Sequence, residues 1–337
     1  MGKLIDKMAS GLPLKVLRNL SGVKAIFPFY HTVHETPLDY LSKFYVVKNE
    51  TQFRKDLDFL LANFKPVTLH DLMDDNDIDK RIPSFHLSFD DGLRECYDII
   101  VPLLLEKGIP ATFFINPAFL DNKDMFFRYK IALIIENYKK GIITDEDLEV
   151  IVFLLKQHLF WKKNLEKSLL SVPYERVMLI NQMAKYAKVD LDKFLREEKP
   201  YMTTVQVNDL ISKGFTIGAH SLDHPIYNRL NIEGQVEQTI QSIQFVKENF
   251  KLKYSAFSFP FTDHGVQKKF FEDISRRIDT DKTLLFGTAG IKKDYFDFHL
   301  QRIPADDRNI PLEQRIKGEY LYYLMKAPVG KNKIKRR

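Results

Sequence analysis

Two apolar runs, "FHLSF" at 85–89 and "ATFFI" at 111–115, stand about 20 residues apart. Between them "LRECYDIIVPLLLEKG" has a helical pattern, interrupted at Pro102 and stopped at Gly108. Two strands joined by a crossover of that length run parallel, because an antiparallel return needs only a tight turn. The same rhythm recurs along the chain. "KAIFPFYH" (24–31), "FTIGAH" (215–220), "SAFSFPF" (255–261), "LLFGTAG" (284–290) and "LQRIP" (300–304) read as strands. "QFRKDLDFLLANF" (52–64), "TVQVNDLISKG" (204–214) and "NIEGQVEQTIQSIQFVKENF" (231–250) read as helices, the last with Asn231 as N-cap. Seven or eight strands alternating with helices predict an α/β fold, a closed (β/α) barrel rather than an open sheet.

Residues 124–203 break the rhythm with three helical patterns and no strand. They read as an all-helical insertion into a barrel domain spanning 24–312. A lid, a dimer face, a substrate wall and simple packing on the barrel are its open roles. An amphipathic segment (1–23) lies before the barrel, and a helix with the basic tail "KNKIKRR" (313–337) after it. In the first segment Leu4, Ile5, Met8, Leu12 and Val16 recur at roughly helical spacing. Docking on the protein's own body is one reading, and peripheral contact with a membrane surface the other. The tail reads as a frayed, solvated end, or as a contact for anionic lipid or nucleic acid.

The formal net charge is +6, and the single cysteine, Cys96, excludes an intramolecular disulfide. No segment approaches the roughly 18 apolar residues of a membrane span. Lys3, Asp6 and Lys7 interrupt any secretion signal, and Asp6 stands where myristoylation needs Ser or Thr. The expected location is the cytoplasm, with peripheral attachment at the inner membrane face as an extension. No nucleic-acid-binding module is recognisable, so no nucleic acid partner is expected.

Chemistry gathers where three predicted strands end. One ends in Asp90-Asp91 before Gly92, one in "HSLDH" with His220 and His224, and one in "FPFTDHG" with Pro260, Phe261, Asp263 and His264. In a parallel barrel all strand C-termini share one face, so Asp91 and His220 can meet there. Histidines spaced i, i+4 lie on one side of a helical turn, and a carboxylate completes a two-histidine, one-acid metal site. Two surface histidines at a helix start are the alternative. A zincin site needs glutamate beside the first histidine, where Ser221 stands.

"SFDDG" resembles the T-F-D-D-G motif of polysaccharide deacetylases with the NodB homology domain (carbohydrate esterase family four), and "HSLDH" resembles that family's H-S/T-x-x-H motif. "FSFPF" resembles its third motif more loosely, and "FPFYH" its opening strand. The resemblance covers about 84–120 and 204–304. It implies a distorted (β/α) barrel and a hydrolase that removes acetyl groups from N-acetylated sugars of a polysaccharide or lipid-linked glycan precursor. Asp90 is then the base. Asp91, His220 and His224 hold a divalent metal, Zn2+ by expectation, that activates water. Two of the family's features have no match in place. The third motif's arginine falls near Ser258, with Arg302 as a substitute from the final strand. The general acid has His299 and His264 as nearest candidates. Pro260, Phe261, His31 and Arg302 are expected to line the sugar groove. A catalytically weak carbohydrate-binding protein on the same fold is the alternative function.

Overall fold

Each apolar run becomes a short parallel strand. The barrel strands are β1 (Pro28–Tyr30), β2 (Leu87–Phe89), β3 (Ala111–Ile115), β4 (Thr216–Ala219), β5 (Ser255–Ser258), β6 (Thr283–Gly287), β7 (His299–Gln301) and β8 (Ile303–Pro304). The computed structural model describes residues 2–36, 38–74 and 81–336. Arg337, the last residue of the basic tail, lies outside them.

The strands hydrogen-bond in the order β7-β6-β5-β4-β3-β2-β1-β8, every pair parallel. The two edge strands, β7 and β8, are separated in the chain by Arg302 alone. The sheet therefore curls until its edges meet at one residue, giving a nearly closed, distorted barrel. "KAIFPFYH" and "FHLSF" each divide in two. Ser84–Phe85 pairs with Ala25–Ile26 on one side and Lys65–Pro66 on the other in a separate three-stranded sheet before the chain enters the barrel.

Alternation along the strands sorts the core into two layers. Phe89, Phe113, Ile217, Phe257 and Leu285 join the main core with the surrounding helices. Phe114, Ala256, Leu284 and Phe286 form a smaller cluster with Leu69 and Tyr254. The inner layer also holds polar groups. His86 bonds Val67 O and Thr112 Oγ1, both at 2.8 Å, and burial lowers its pKa to about 4, so the ring is neutral.

The helices used below are α1 (Gly2–Ala9), α2 (Leu14–Ser21), α3 (Glu50–Asn63) and α4 (Val101–Lys107). Before α4 the chain makes a wide turn at Cys96–Ile100, where the Val101 N–H bonds Cys96 O. This turn absorbs Pro102, which supplies no N–H, and the left-handed Gly108 (φ 64°) ends α4. The region 124–203 contains α5 (Phe127–Lys139), α6 (Asp145–Gln157), α7 (Leu165–Leu170), α8 (Val177–Tyr186) and α9 (Leu191–Glu198) around their own core, with Ile131, Ile151, Leu155 and Ile180 at its centre. Then come α10 (Thr204–Ser212), α11 (Ile232–Asn249), α12 (Lys268–Ser275) and α13 (Leu312–Lys326). No helix is long and apolar enough to cross a membrane, among the described residues.

The basic tail is docked rather than frayed. Lys333 forms a parallel bridge with Lys293, and the Arg336 side chain is buried.

At the seam the Arg302 side chain is 0 % exposed. It points inward among Phe29, Phe114 and Phe286, with its guanidinium 4.1, 5.4 and 5.9 Å from their ring centres. Nη1 donates to Asp90 Oδ1 at 2.8 Å and Nη2 to Asp90 Oδ2 at 2.7 Å. Breaking a buried pair strands a charge in the interior. Arg302→Met is expected to cost about 3–5 kcal/mol in urea unfolding, and Asp90→Asn/Arg302→Met to recover most of it. A double variant as unstable as the single one would place the loss in packing rather than charge.

Candidate active site

Asp90 follows β2 directly and is buried. Besides the Arg302 fork, both its oxygens accept from Ser258 Oγ at 3.1 Å. Burial opposes ionisation most strongly, but the charge and hydrogen bonds of Arg302, together with the neighbouring histidines, outweigh it and hold the carboxyl below the usual carboxylate range. Ser258, where the family's third motif places arginine, thus works together with Arg302. Arg302 is expected from the sequence in the sugar groove. That expectation is corrected: a fully buried side chain cannot touch substrate, and Arg302 instead orients Asp90.

Asp91 comes next, at φ 70°. Its Oδ2 accepts from Tyr45 Oη at 2.7 Å and from Tyr129 Oη at 2.9 Å. Its Oδ1 lies 3.4 Å from His220 Nε2 and 3.2 Å from His224 Nε2, and has no hydrogen-bond partner although buried. His220 Nδ1 faces Ser258 O at 2.9 Å. That bond fixes the proton on Nδ1 and leaves the Nε2 lone pair directed at Asp91. Burial lowers the His224 pKa against the pull of Asp91, so this ring is neutral. An orphaned carboxylate oxygen between imidazole lone pairs lacks a positive partner. The ligand atoms of the three residues lie within 4.8 Å of one another. The donor set fits a divalent cation.

The two histidines do not share a helical turn, as their spacing suggests. The chain after β4 is irregular, with Ser221 at φ 63° and His224 at φ 65°. The His224 N–H bonds Ser221 Oγ at 3.0 Å. Left-handed residues bring the two rings within 4.8 Å of each other, centre to centre. Phe261, at φ 56°, is a further left-handed residue at this rim, and its ring stands 4.8 Å from that of His224. Such conformations cost about 1–3 kcal/mol each and persist where the surroundings over-determine them.

A family model for polysaccharide deacetylases matches residues 77–271, more than half of the chain. The chain belongs to the polysaccharide deacetylase family. No curated protein matches it in sequence. Among solved structures it is similar to the deacetylase PplD of Streptococcus pyogenes in complex with acetate, at 12% identity and TM-score 0.55, covering 88% of this chain and 98% of that one. It is also similar to IcaB from Ammonifex degensii, at 14% identity and TM-score 0.53, covering 88% and 97%. At such identities the likeness is one of fold, here that of the deacetylase barrel.

The other residues read from the sequence of this deacetylase divide between two places. His31 directly follows β1 and adjoins the triad through Tyr45. Its Nδ1 is 3.1 Å from both Asp306 oxygens, its N–H bonds Asp306 Oδ2 at 2.7 Å, and its ring stacks on Tyr45 at 3.8 Å. Burial lowers its pKa, but Asp306, with help from Asp91 and Asp90, raises it to about 9. His31 therefore carries a proton at neutral pH. Pro260 and Phe261 follow β5, Pro260 buried and Phe261 exposed.

His299 and His264 stand elsewhere, which corrects their reading as acids for the reaction. The His299 side chain is fully buried, stacked on Phe271 at 4.9 Å, with Nδ1 3.4 Å from Asp294 Oδ2 and Nε2 3.7 Å from Asp263 Oδ2. Arg336 of the tail donates to Asp263, to Asp294 at 2.7 Å and to His299 Nδ1 at 3.1 Å. Asp263 thus anchors the tail. His264 is exposed on the loop beyond Phe261, lining a lysine-rich groove with Lys326 and Lys331.

Sequence reasoning missed Tyr45, Tyr129, Phe126 and Asp306. Asp306 carries a faint signal as an acid just past the last strand. Tyr129 carries none, since it comes from α5 of the helical insertion. That insertion packs against the triad: the Phe126 ring lies 4.2 Å from that of His224, and Tyr174 bonds Asp223. His220→Ala is expected to strip divalent metal from the purified protein, measured by elemental analysis. Tyr129→Phe should weaken metal affinity about 10-fold or more in chelator competition, and unchanged affinity would show that Asp91 is oriented without it.

Proposed function

We propose that this deacetylase hydrolyses the acetamide of N-acetylated sugars in a polysaccharide or glycolipid precursor. The observation that carries this reading is the unpartnered Asp91 Oδ1 facing two imidazole Nε2 atoms, beside a carboxylate clamped by arginine. Asp91, His220 and His224 would hold a divalent cation, and two imidazoles with one carboxylate suit Zn2+. Such a cation supplies Lewis acidity and brings the pKa of water to about 7.

Asp90 acts as base. Arg302 and Ser258 keep it ionised and fix its orientation, so it accepts a proton from the attacking water without first losing one. The water oxygen adds to the acetamide carbon. The carbon–nitrogen bond then breaks, and the nitrogen must gain a proton to leave as an amine. His31 is the acid. It is protonated at neutral pH, Asp306 holds it by Nδ1, and Nε2 is left for the substrate. Acetate and a free amino sugar result. Phe261, exposed beside His224, supplies apolar surface for the sugar.

The alternative of a weak carbohydrate-binding protein arises from a missing arginine and a missing acid. Arg302 and His31 supply groups of both kinds, which favours the hydrolase.

Acetate release from N-acetylated oligosaccharides, assayed with and without chelator, tests the reading. Release that is chelator-sensitive and restored by Zn2+ is expected; none from any N-acetylated glycan would overturn it. Asp90→Asn should lower kcat by at least about 100-fold while leaving bound metal unchanged. The pH profile of kcat/KM should fall on the alkaline side at or below about pH 9, because His31 loses its proton there and a bound cation draws that pKa down. In His31→Gln that alkaline limb should vanish together with most of the activity.

A further inference from the structure

α1 and α2 both pack on α13 through one face only. Ile5 and Ala9 of α1 and Leu14 and Leu17 of α2 are buried. At Gly318 of α13 a Cβ would stand 3.1 Å from the Asp6 Cα, so glycine lets α1 approach closely. Asp6 itself is buried and paired with Arg308.

The solvent-facing flank of each helix, roughly 100° round from the buried one, is apolar as well. Leu4, Met8, Val16 and Leu20 are 64, 59, 50 and 69 % exposed, and Leu12 of the connecting turn is also exposed. Scattered exposed hydrophobics need no explanation. These do, because five of the nineteen large exposed hydrophobics among the described residues fall within this one stretch. Their four-residue spacing keeps each pair on a single stripe of its helix. Each helix turns this stripe away from the side that packs on α13.

The charge around the stripe selects its partner. Lys7 and Lys15 are exposed, each one position from a stripe residue. Asp6, the sole acid before residue 35, is withdrawn into its ion pair. The outward surface thus joins large apolar side chains to uncompensated cations, which is how an interfacial helix meets anionic headgroups. A second copy fits less well, since pairing through the same face would bring like charges together.

We infer that α1 and α2 form a peripheral membrane anchor, seated on a bilayer that contains anionic phospholipid. Their apolar stripe enters the boundary between headgroups and acyl chains. The lysines contact headgroup phosphates. The barrel, held to α13, is thereby tethered beside the membrane. This inference is independent of the acetyl chemistry.

Cosedimentation of the full chain with vesicles tests it, using phosphatidylglycerol in phosphatidylcholine against phosphatidylcholine alone. Wild type should bind the anionic vesicles, and less so at high salt. Leu4→Gln/Met8→Gln/Val16→Gln/Leu20→Gln should lower the partition coefficient at least about tenfold, with an unchanged melting temperature because those side chains are exposed. Lys7→Glu/Lys15→Glu should abolish the preference for anionic lipid and keeps the test decisive if the apolar variant misfolds. Wild type that ignores anionic vesicles, or a folded apolar variant that binds them as well as wild type, would overturn the inference. So would a dimer in light scattering that the apolar variant converts to monomer while vesicle binding stays absent.

Discussion

The buried pair between Asp90 and Arg302 joins the fold to the site. Arg302 is the one residue between β7 and β8, the two edges of the sheet, and its side chain fills the barrel among three phenylalanines. An arginine there needs an anion, and an aspartate at the end of β2 needs a cation. Each satisfies the other with a two-pronged hydrogen bond. Such a pair adds little net stability over an apolar replacement, because two charges must leave water to form it. What it provides is position. It fixes the Asp90 carboxylate at the strand ends and keeps it ionised.

A second electrostatic unit stands on the first. Asp91 adjoins Asp90, but its surroundings differ. Two tyrosine hydroxyls take one oxygen, and two histidines face the other. The adjacent acids are thus pushed into separate roles by their neighbours, one neutralised by a guanidinium and the other left facing lone pairs. His31 completes the set as a cation held by Asp306. Two of the groups packed around this triad, Tyr129 and Phe126, come from the helical insertion. The insertion is therefore part of the site's construction.

The fold was legible because a parallel strand buried on both faces reads as a continuous apolar run, and "ATFFI" is buried throughout its five residues. The break within "KAIFPFYH" carried a mark that the reading passed over, Pro28 directly after Phe27. The break within "FHLSF" was not legible, since no proline or glycine stands at or beside His86. The metal-type triad was legible for a local reason, since Asp91, His220 and His224 each lie within five residues of a strand end. Its backbone was not: spacing suggested a helical turn, and the chain instead uses left-handed Ser221 and His224. The acid was misread because distance along the chain says nothing about which side of a strand a residue faces. His299 and Arg302 lie three apart about the same seam, so alternation turns His299 outward to Asp263 and Arg302 inward to Asp90.

By itself the sequence determined the parallel barrel, the two acids at one strand end and the histidine pair, because strand periodicity and strand-end chemistry are local. Only the tertiary structure decided which partner each charge received. Arg302 reached Asp90 across 212 positions of sequence, Asp306 reached His31 across 275, and Arg336 reached His299 across 37. Such pairings depend on barrel closure and on which face each side chain takes. The desolvation that makes every buried charge seek a partner comes into force only once the barrel has closed.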